Sequence, residues 1–264
     1  MLSVLTVNLG AAARPRAEAM LEWLAARPEQ VLLLTETSAG PGTAYLLERF
    51  REAGHTVIKT PDDGERGAAI VSCVKVLEES SAKLSGVTVP GRVAACLLDC
   101  EPRVFAVAVY VPSRDRSESK TTRKQQFITS FQTALACLPQ ELATNTLVGG
   151  DYNVISRDHE PRHRGFLPFE YGLLETLEAR GYVDTYASLH PGEQAHSWIG
   201  RTGDGYRYDY FHAGPALANR VTDCRYLHET RDSKLTDHAA LTLTLDVVPN
   251  LLPTTDPATS GALF

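Results

Sequence analysis

The chain has 264 residues, 43% of them hydrophobic and 22% charged, the balance of an ordinary soluble globular protein large enough to bury one substantial core. Its formal net charge of -6 argues against a protein that coats nucleic acid through overall charge, while leaving room for a local basic cleft. The opening MLSVLTVNLG has no basic lead, and no run approaches the ~18 apolar residues of a membrane span, so neither a secretion signal nor an anchor is expected.

In chain order, residues 4–7 read as a first strand. Residues 16–26 read as a helix with Ala19, Met20, Trp23 and Leu24 on one side. A second strand is expected over 31–34, and a helix over 43–53 closed by Gly54, followed by extended chain over 55–59. After a turn at DDGERG, residues 68–73, 93–99 and 104–110 have the composition of strands. Phe127, Ile128, Phe131, Leu135 and Leu138 recur at helical spacing and predict a long helix over 122–137. A buried strand over 146–149 then delivers Asp151, a helix over 169–180 stops at Gly181, and shorter strands end with 239–247. Two such mixed halves suggest two sheets packed face to face with helices outside. Residues 249–264, rich in Pro and Thr, are expected to form a flexible tail after a single catalytic domain over 1–248.

The cysteines, Cys73, Cys96, Cys100, Cys137 and Cys224, are odd in number and lack CxxC spacing. Reduced thiols in a cytoplasmic protein are the expected reading.

Five short segments carry the chemistry. Asn8 lies in VLTVNLG, Glu36 in VLLLTETS, Asp151 and Asn153 in LVGGDYNV, Asp209 in YRYDYFHAG, and Asp237 and His238 in KLTDHAALTLTL. Each ends an apolar, strand-like run with metal- or phosphate-seeking side chains, which suggests one site assembled from distant parts of the chain. A divalent-metal phosphoesterase is the chemistry that such a set serves.

Taken in order, these segments resemble the endonuclease/exonuclease/phosphatase superfamily, and within it the exonuclease III and apurinic/apyrimidinic endonuclease branch. The resemblance is strongest from GGDYNV through GFLPFEYGLLETLEARGYVDTYASLHPG and HSWIGRTGDGYRYDYFHAG to LTDHAAL, and thinner in VNLG, LLTETS, GERGAAIVS and VYVPS. It implies an α+β, four-layer sandwich of two mainly antiparallel sheets, and a magnesium-dependent hydrolase for which manganese can substitute. Under it Glu36 is the first metal ligand with Asn8 and Asp237 beside it, since magnesium takes oxygen donors and keeps several waters. Asp151 is the base that activates water, Asn153 shares its site, and Asp209 orients His238 and favours its charged form toward a phosphate oxygen. Tyr110 resembles the tyrosine that reaches the phosphate or leaving group, and Trp198 the aromatic that shapes a sugar pocket.

Basic residues cluster at Arg114, Arg116, Lys120, Arg123 and Lys124, and again at Arg157, His159, Arg162, His163 and Arg164. Near the catalytic mouth they would grip a DNA backbone, making the expected activity abasic-site incision or 3′-end processing by a monomer. The sequence also departs from that branch. Ser38 follows Glu36 and Thr37 where a lysine is usual, and Ser113 stands where an asparagine is expected. Both positions help hold DNA, so a phosphatase acting on a small phosphorylated metabolite, such as a nucleotide or sugar phosphate, stays open. A catalytically silent binding module is the remaining alternative.

Overall fold

In the computed structural model, which describes residues 1–61 and 64–259, the apolar runs become strands and the amphipathic stretches helices. The first half comprises β1 (Leu2–Asn8), α1 (Arg14–Ala25), β2 (Val31–Thr37), α2 (Pro41–Glu52), β3 (Thr56–Lys59), β4 (Gly67–Ser72), β5 (Val76–Glu79), β6 (Val93–Leu98), β7 (Cys100–Glu101), β8 (Val104–Tyr110), α3 (Glu118–Ala136), α4 (Gln140–Thr144) and β9 (Thr146–Asp151). The second comprises α5 (Pro168–Ala179), β10 (Val183–Asp184), α6 (Thr185–Leu189), β11 (Trp198–Ile199), β12 (Gly205–Tyr206), β13 (Asp209–Ala213), α7 (Pro215–Ala218), β14 (Val221–Leu227), α8 (Glu229–Asp232), β15 (Ala240–Leu245) and β16 (Val248–Pro249).

Two six-stranded sheets result, ordered β14-β15-β1-β2-β4-β3 and β10-β13-β9-β8-β6-β5. Each holds one parallel pair, β1 with β2 and β8 with β9, among antiparallel neighbours. Period-two alternation sorts the side chains into layers. Leu2, Val4, Val31, Leu33, Ala106, Ala108, Leu147 and Phe211 fill the space between the sheets. Leu5, Val7, Leu32 and Leu34 face α1 and α2 on one outer side, and Phe105, Val107 and Val148 face α3 and α5 on the other. Helix, sheet, sheet and helix therefore stack as the expected α+β sandwich.

The helices begin earlier than their apolar period suggests. Pro15 and Pro41 occupy the first turns of α1 and α2, where a missing N–H costs nothing. The polar start of α3 likewise carries no apolar signal. Strand β5 escapes sequence reading because it is a largely exposed sheet edge.

The expected loose tail is a correction over its described part. Val248 and Pro249 pair with Glu101 and Cys100, Leu252 N–H donates to Cys73 O at 2.7 Å, and Thr255 N–H to Ala53 O at 2.9 Å. Composition does not report such backbone partners. Residues 260–264, and the aspartates at 62–63 of the expected turn, lie outside the described residues.

Gly149 leaves room for side chains between the sheets. A Cβ there would lie 2.4 Å from the ring of Phe211, its cross-strand partner, and 2.8 Å from Leu33 Cδ1 on the facing sheet. Gly149→Ala is expected to destabilise the fold by about 1–3 kcal/mol through overpacking, measurable as a lower urea midpoint. An unchanged midpoint would mean that Phe211 and Leu33 do not crowd this residue.

Candidate active site

Strand register places the polar residues side by side. On the second sheet, the parallel β8–β9 pairing sets Tyr110 beside Asp151, and the antiparallel β9–β13 pairing sets Asp151 beside Asp209. All three share the parity of Leu147 and Phe211, so they point between the sheets at the end of the core. Gly150 lets β9 run this close to β8, since a Cβ there would lie 2.0 Å from Val109 O.

The first sheet supplies the facing side. Asn8 ends β1 with the parity of Leu2 and Val4, and its Nδ2 donates across the gap to Asp151 Oδ2 at 3.0 Å. Its own Oδ1 accepts the Gly10 N–H at 2.7 Å. Asn8 thus orients the Asp151 carboxylate, a use of the side chain different from the ligand role expected of it. Glu36 sits on a bulge in β2 with φ at 50°, an offset that brings Oε1 to the Tyr110 hydroxyl at 2.9 Å. Arg66 donates to its other oxygen.

Asp151 is buried and fully hydrogen-bonded. Oδ1 accepts the Asn153 N–H at 2.9 Å, and Oδ2 accepts Asn153 Nδ2 at 3.2 Å in addition to Asn8. Burial pushes its carboxyl well above the usual carboxylate range, with the charges of Asp209 and Glu36 adding and His238 opposing. Beside it, His238 Nδ1 meets Asp209 Oδ2 at 2.7 Å. Burial alone would discharge that imidazole; the Asp209 carboxylate and its hydrogen bond, helped by Asp151 and Asp237, instead lift it to about 10. Asp209 is held in turn by Ser197 Oγ, which accepts its N–H at 3.1 Å, and by the Tyr226 hydroxyl, which donates to its carbonyl at 2.6 Å.

A cleft of about 560 Å³ opens over these groups, and Glu36, Asn153, Asp237 and His238 line it. One wall is aromatic. Trp198 donates Nε1 to Asp237 Oδ2 at 2.9 Å and lies 5.4 Å from the Tyr206 ring, which stacks on Tyr208 at 5.2 Å and on His163 at 4.0 Å. Such a wall suits the face of a sugar or base.

Asp151, Asp209 and His238 offer ligand atoms within 4.8 Å of one another, a grouping that can hold a metal ion. Asp209 Oδ2 and His238 Nδ1 bond each other, while Asp209 Oδ1 has no hydrogen-bond partner among the described residues. Glu36 and Asp237 also present oxygen donors to the same cleft, the donor chemistry that magnesium selects.

The expected phosphate grips fare differently. Arg114 lines the cleft but donates Nη2 to Glu170 Oε2 at 2.6 Å. Arg123 borders a separate cavity of about 620 Å³ and pairs with Glu65 at 2.7 Å. Arg157 pairs with the Glu175 carboxylate and covers the Tyr171 ring. Arg116, at the cleft, and Arg164, exposed beside it, have no ion pair among the described residues. Sequence reasoning did not single out Tyr206 and Tyr208, although their alternation in GYRYD signals one shared face. For Arg66 it offers no signal. Lys124 falls on the apolar stripe of α3 with Phe127, Ile128 and Phe131, the mark of a buried cation.

No family model matches the chain, and no curated protein sequence matches it significantly. Solved structures do share its fold. The 3′-5′ exonuclease NExo of Neisseria meningitidis superposes with a TM-score of 0.77 at 22% identity, over 93% of this chain and 100% of that one. A 3′ phosphatase NExo structure from Neisseria, bound to product DNA hairpin, gives 0.76 at 21% identity with the same coverage. An AP endonuclease from Archaeoglobus fulgidus gives 0.74 at 22%, again over 93% and 100%.

Proposed function

We propose, from the fold shared with those DNA-processing enzymes, that this protein is a divalent-metal-dependent phosphoesterase of the exonuclease III type, hydrolysing phosphodiester bonds at abasic sites or phosphate groups at 3′ ends of DNA. The observation that carries the reading is the buried row Tyr110, Asp151, Asp209, with His238 bonded to Asp209 and Glu36 bonded to Tyr110, where Glu36 and His238 line one cleft. Residues 1–248 are read as one catalytic domain acting as a monomer. No helix among the described residues is long and apolar enough to cross a membrane. With no disulfide joining the cysteines among the described residues, a cytoplasmic setting suits it.

Each residue has a task in that reaction. Asp151, its oxygens fixed by Asn8 and Asn153, takes a proton from the attacking water. A carboxyl raised by burial is a stronger base than an exposed one, once deprotonated. His238, kept charged by Asp209, donates Nε2–H to a phosphoryl oxygen as negative charge grows there. The Tyr110 hydroxyl, bonded to Glu36, would reach the phosphate or leaving group, and Trp198, with Tyr206 and Tyr208 on the cleft wall, would take the sugar. Magnesium, held by Glu36 and Asp237 and replaceable by manganese, would neutralise phosphoryl charge and stabilise the leaving oxygen.

One observation favours a second reading. Arg114, Arg123 and Arg157 each already hold a carboxylate, so few cations remain for an extended backbone. That suits a strand end, or a small phosphorylated metabolite, better than a long duplex. A substrate panel decides: duplexes with an internal abasic analogue or a 3′ phosphate, beside nucleotide and sugar phosphates, each with magnesium and with chelator. Cleavage of the DNA substrates in magnesium and none in chelator is expected. Turnover of the small phosphates alone would establish the second reading, and binding without turnover would leave a silent module.

A further inference from the structure

We infer that Lys124, seated by Glu170, is a positioning residue of the proposed hydrolytic centre, acting on Asp151 through the backbone of Asn153. This rests on the reading of Asp151 as the proton acceptor. Lys124 is 1% exposed, and an ammonium so buried is costly unless its charge and its N–H groups are matched. Its Nζ donates to Glu170 Oε1 at 2.7 Å and to Asn153 O at 2.6 Å.

Glu170 is itself fixed. In the first turn of α5 its Oε2 accepts the Leu167 N–H at 2.8 Å, together with Arg114 Nε at 3.0 Å and Nη2 at 2.6 Å. Arg114 and Lys124 thus share one carboxylate, and the cluster keeps a net positive charge next to the segment that follows Asp151 at the end of β9. Were Lys124 only a tie between α3 and α5, the bond to Glu170 would suffice. The bond to Asn153 O extends the tie into the site.

That carbonyl belongs to a residue in an unusual state. Asn153 has φ at 50°, a left-handed conformation that asparagine tolerates but an unrestrained chain visits rarely. Only with the backbone so turned do its N–H and its Nδ2 reach the two oxygens of Asp151, while Nδ2 also donates to Val111 O at 3.0 Å. Carbonyl, N–H and side chain branch from the one Asn153 Cα, so the charged hydrogen bond at 2.6 Å anchors from the carbonyl side the residue whose N–H and Nδ2 hold Asp151.

Lys124→Met tests this, because it keeps most of the stem, removes the ammonium and leaves Arg114 on Glu170. On whichever substrate the parent protein turns over, kcat is expected to fall about tenfold to a hundredfold, with KM moving less than about threefold. In an Asn153→Ala background the same substitution should cost severalfold less, since Nδ2, one of the two Asn153 donors that the anchored main chain holds on Asp151, is gone. An unchanged kcat, a loss confined to KM, or equal losses in both backgrounds would overturn the inference. Should Lys124→Met fail to fold, Glu170→Gln, which loosens the seat but keeps an acceptor, must show the same coupling to Asn153, and an uncoupled loss would overturn it. A parent protein with no turnover would instead strike the functional reading. The positioning claim is then decided by the Asp151 carboxyl 13C resonance, which must shift in Lys124→Met and which, unmoved, refutes it.

Discussion

Asp151→Asn yields a folded protein whose kcat is lower by about 10²–10⁴-fold, the usual contribution of a positioned general base. The amide keeps the shape of the carboxylate and one acceptor oxygen, so the Asn153 N–H at 2.9 Å and the packing of β9 against β13 are preserved. What it loses is basicity. The second oxygen position, where Asn8 and Asn153 now donate, would hold an amide nitrogen facing two other donors, a mismatch that costs about 1–3 kcal/mol of stability. Kinetics together with thermal unfolding separate the two effects: a kcat within threefold of the parent's, in a protein with lowered Tm, would remove Asp151 from the base role. Because burial and the neighbouring carboxylates raise this carboxyl, the parent's rate should climb with pH as Asp151 loses its proton.

The second large effect concerns the His238–Asp209 pair. His238 titrates near 10, against an ordinary value of 6.5, so the stabilisation it draws from Asp209 is fully present below about 6.5 and fades as pH rises through about 10. Asp209→Asn removes the charge that opposes burial. At pH 8 the imidazole then becomes neutral, and kcat is expected to fall about 10²–10³-fold, as when one preorganised donor to a phosphoryl oxygen is lost. Below the ordinary histidine range, where protonation of Asp151 slows both proteins, the ratio of variant to parent rate should rise, because the ring charges unaided. A variant with the parent's pH profile would mean that the imidazole charge is not used.

The residues that lie together at the site were legible because strand ends make a simple code. Asn8, Glu36 and Asp151 close apolar runs and Asp209 and His238 open them, and side-chain parity along β1, β9 and β13 then fixes which way they point. The four layers were legible for the same reason, since Leu2 and Val4 against Leu5 and Val7 already show a strand buried on both faces. Cation roles were not. Whether Arg114, Arg123 or Arg157 is free depends on Glu170, Glu65 and Glu175, which other elements bring to them. Local composition cannot report a partner supplied by tertiary structure. The tail failed for the backbone version of that reason: Val248 and Pro249 have a proline-rich neighbourhood but a strand partner in β7. The left-handed turns at Glu36 and Asn153, which aim both side chains, are likewise set by contacts from other elements.

The central claim is that water, activated at Asp151, attacks phosphorus. A single turnover of an abasic or 3′-phosphorylated duplex in 18O-labelled water with magnesium tests it directly, with the products weighed by mass spectrometry. One 18O atom in the phosphate-bearing product, no label in the sugar, and product from Asp151→Asn formed about 10²–10⁴-fold more slowly are the expected results. Unlabelled phosphate, with an unsaturated sugar or with the 18O attached to carbon, would contradict it.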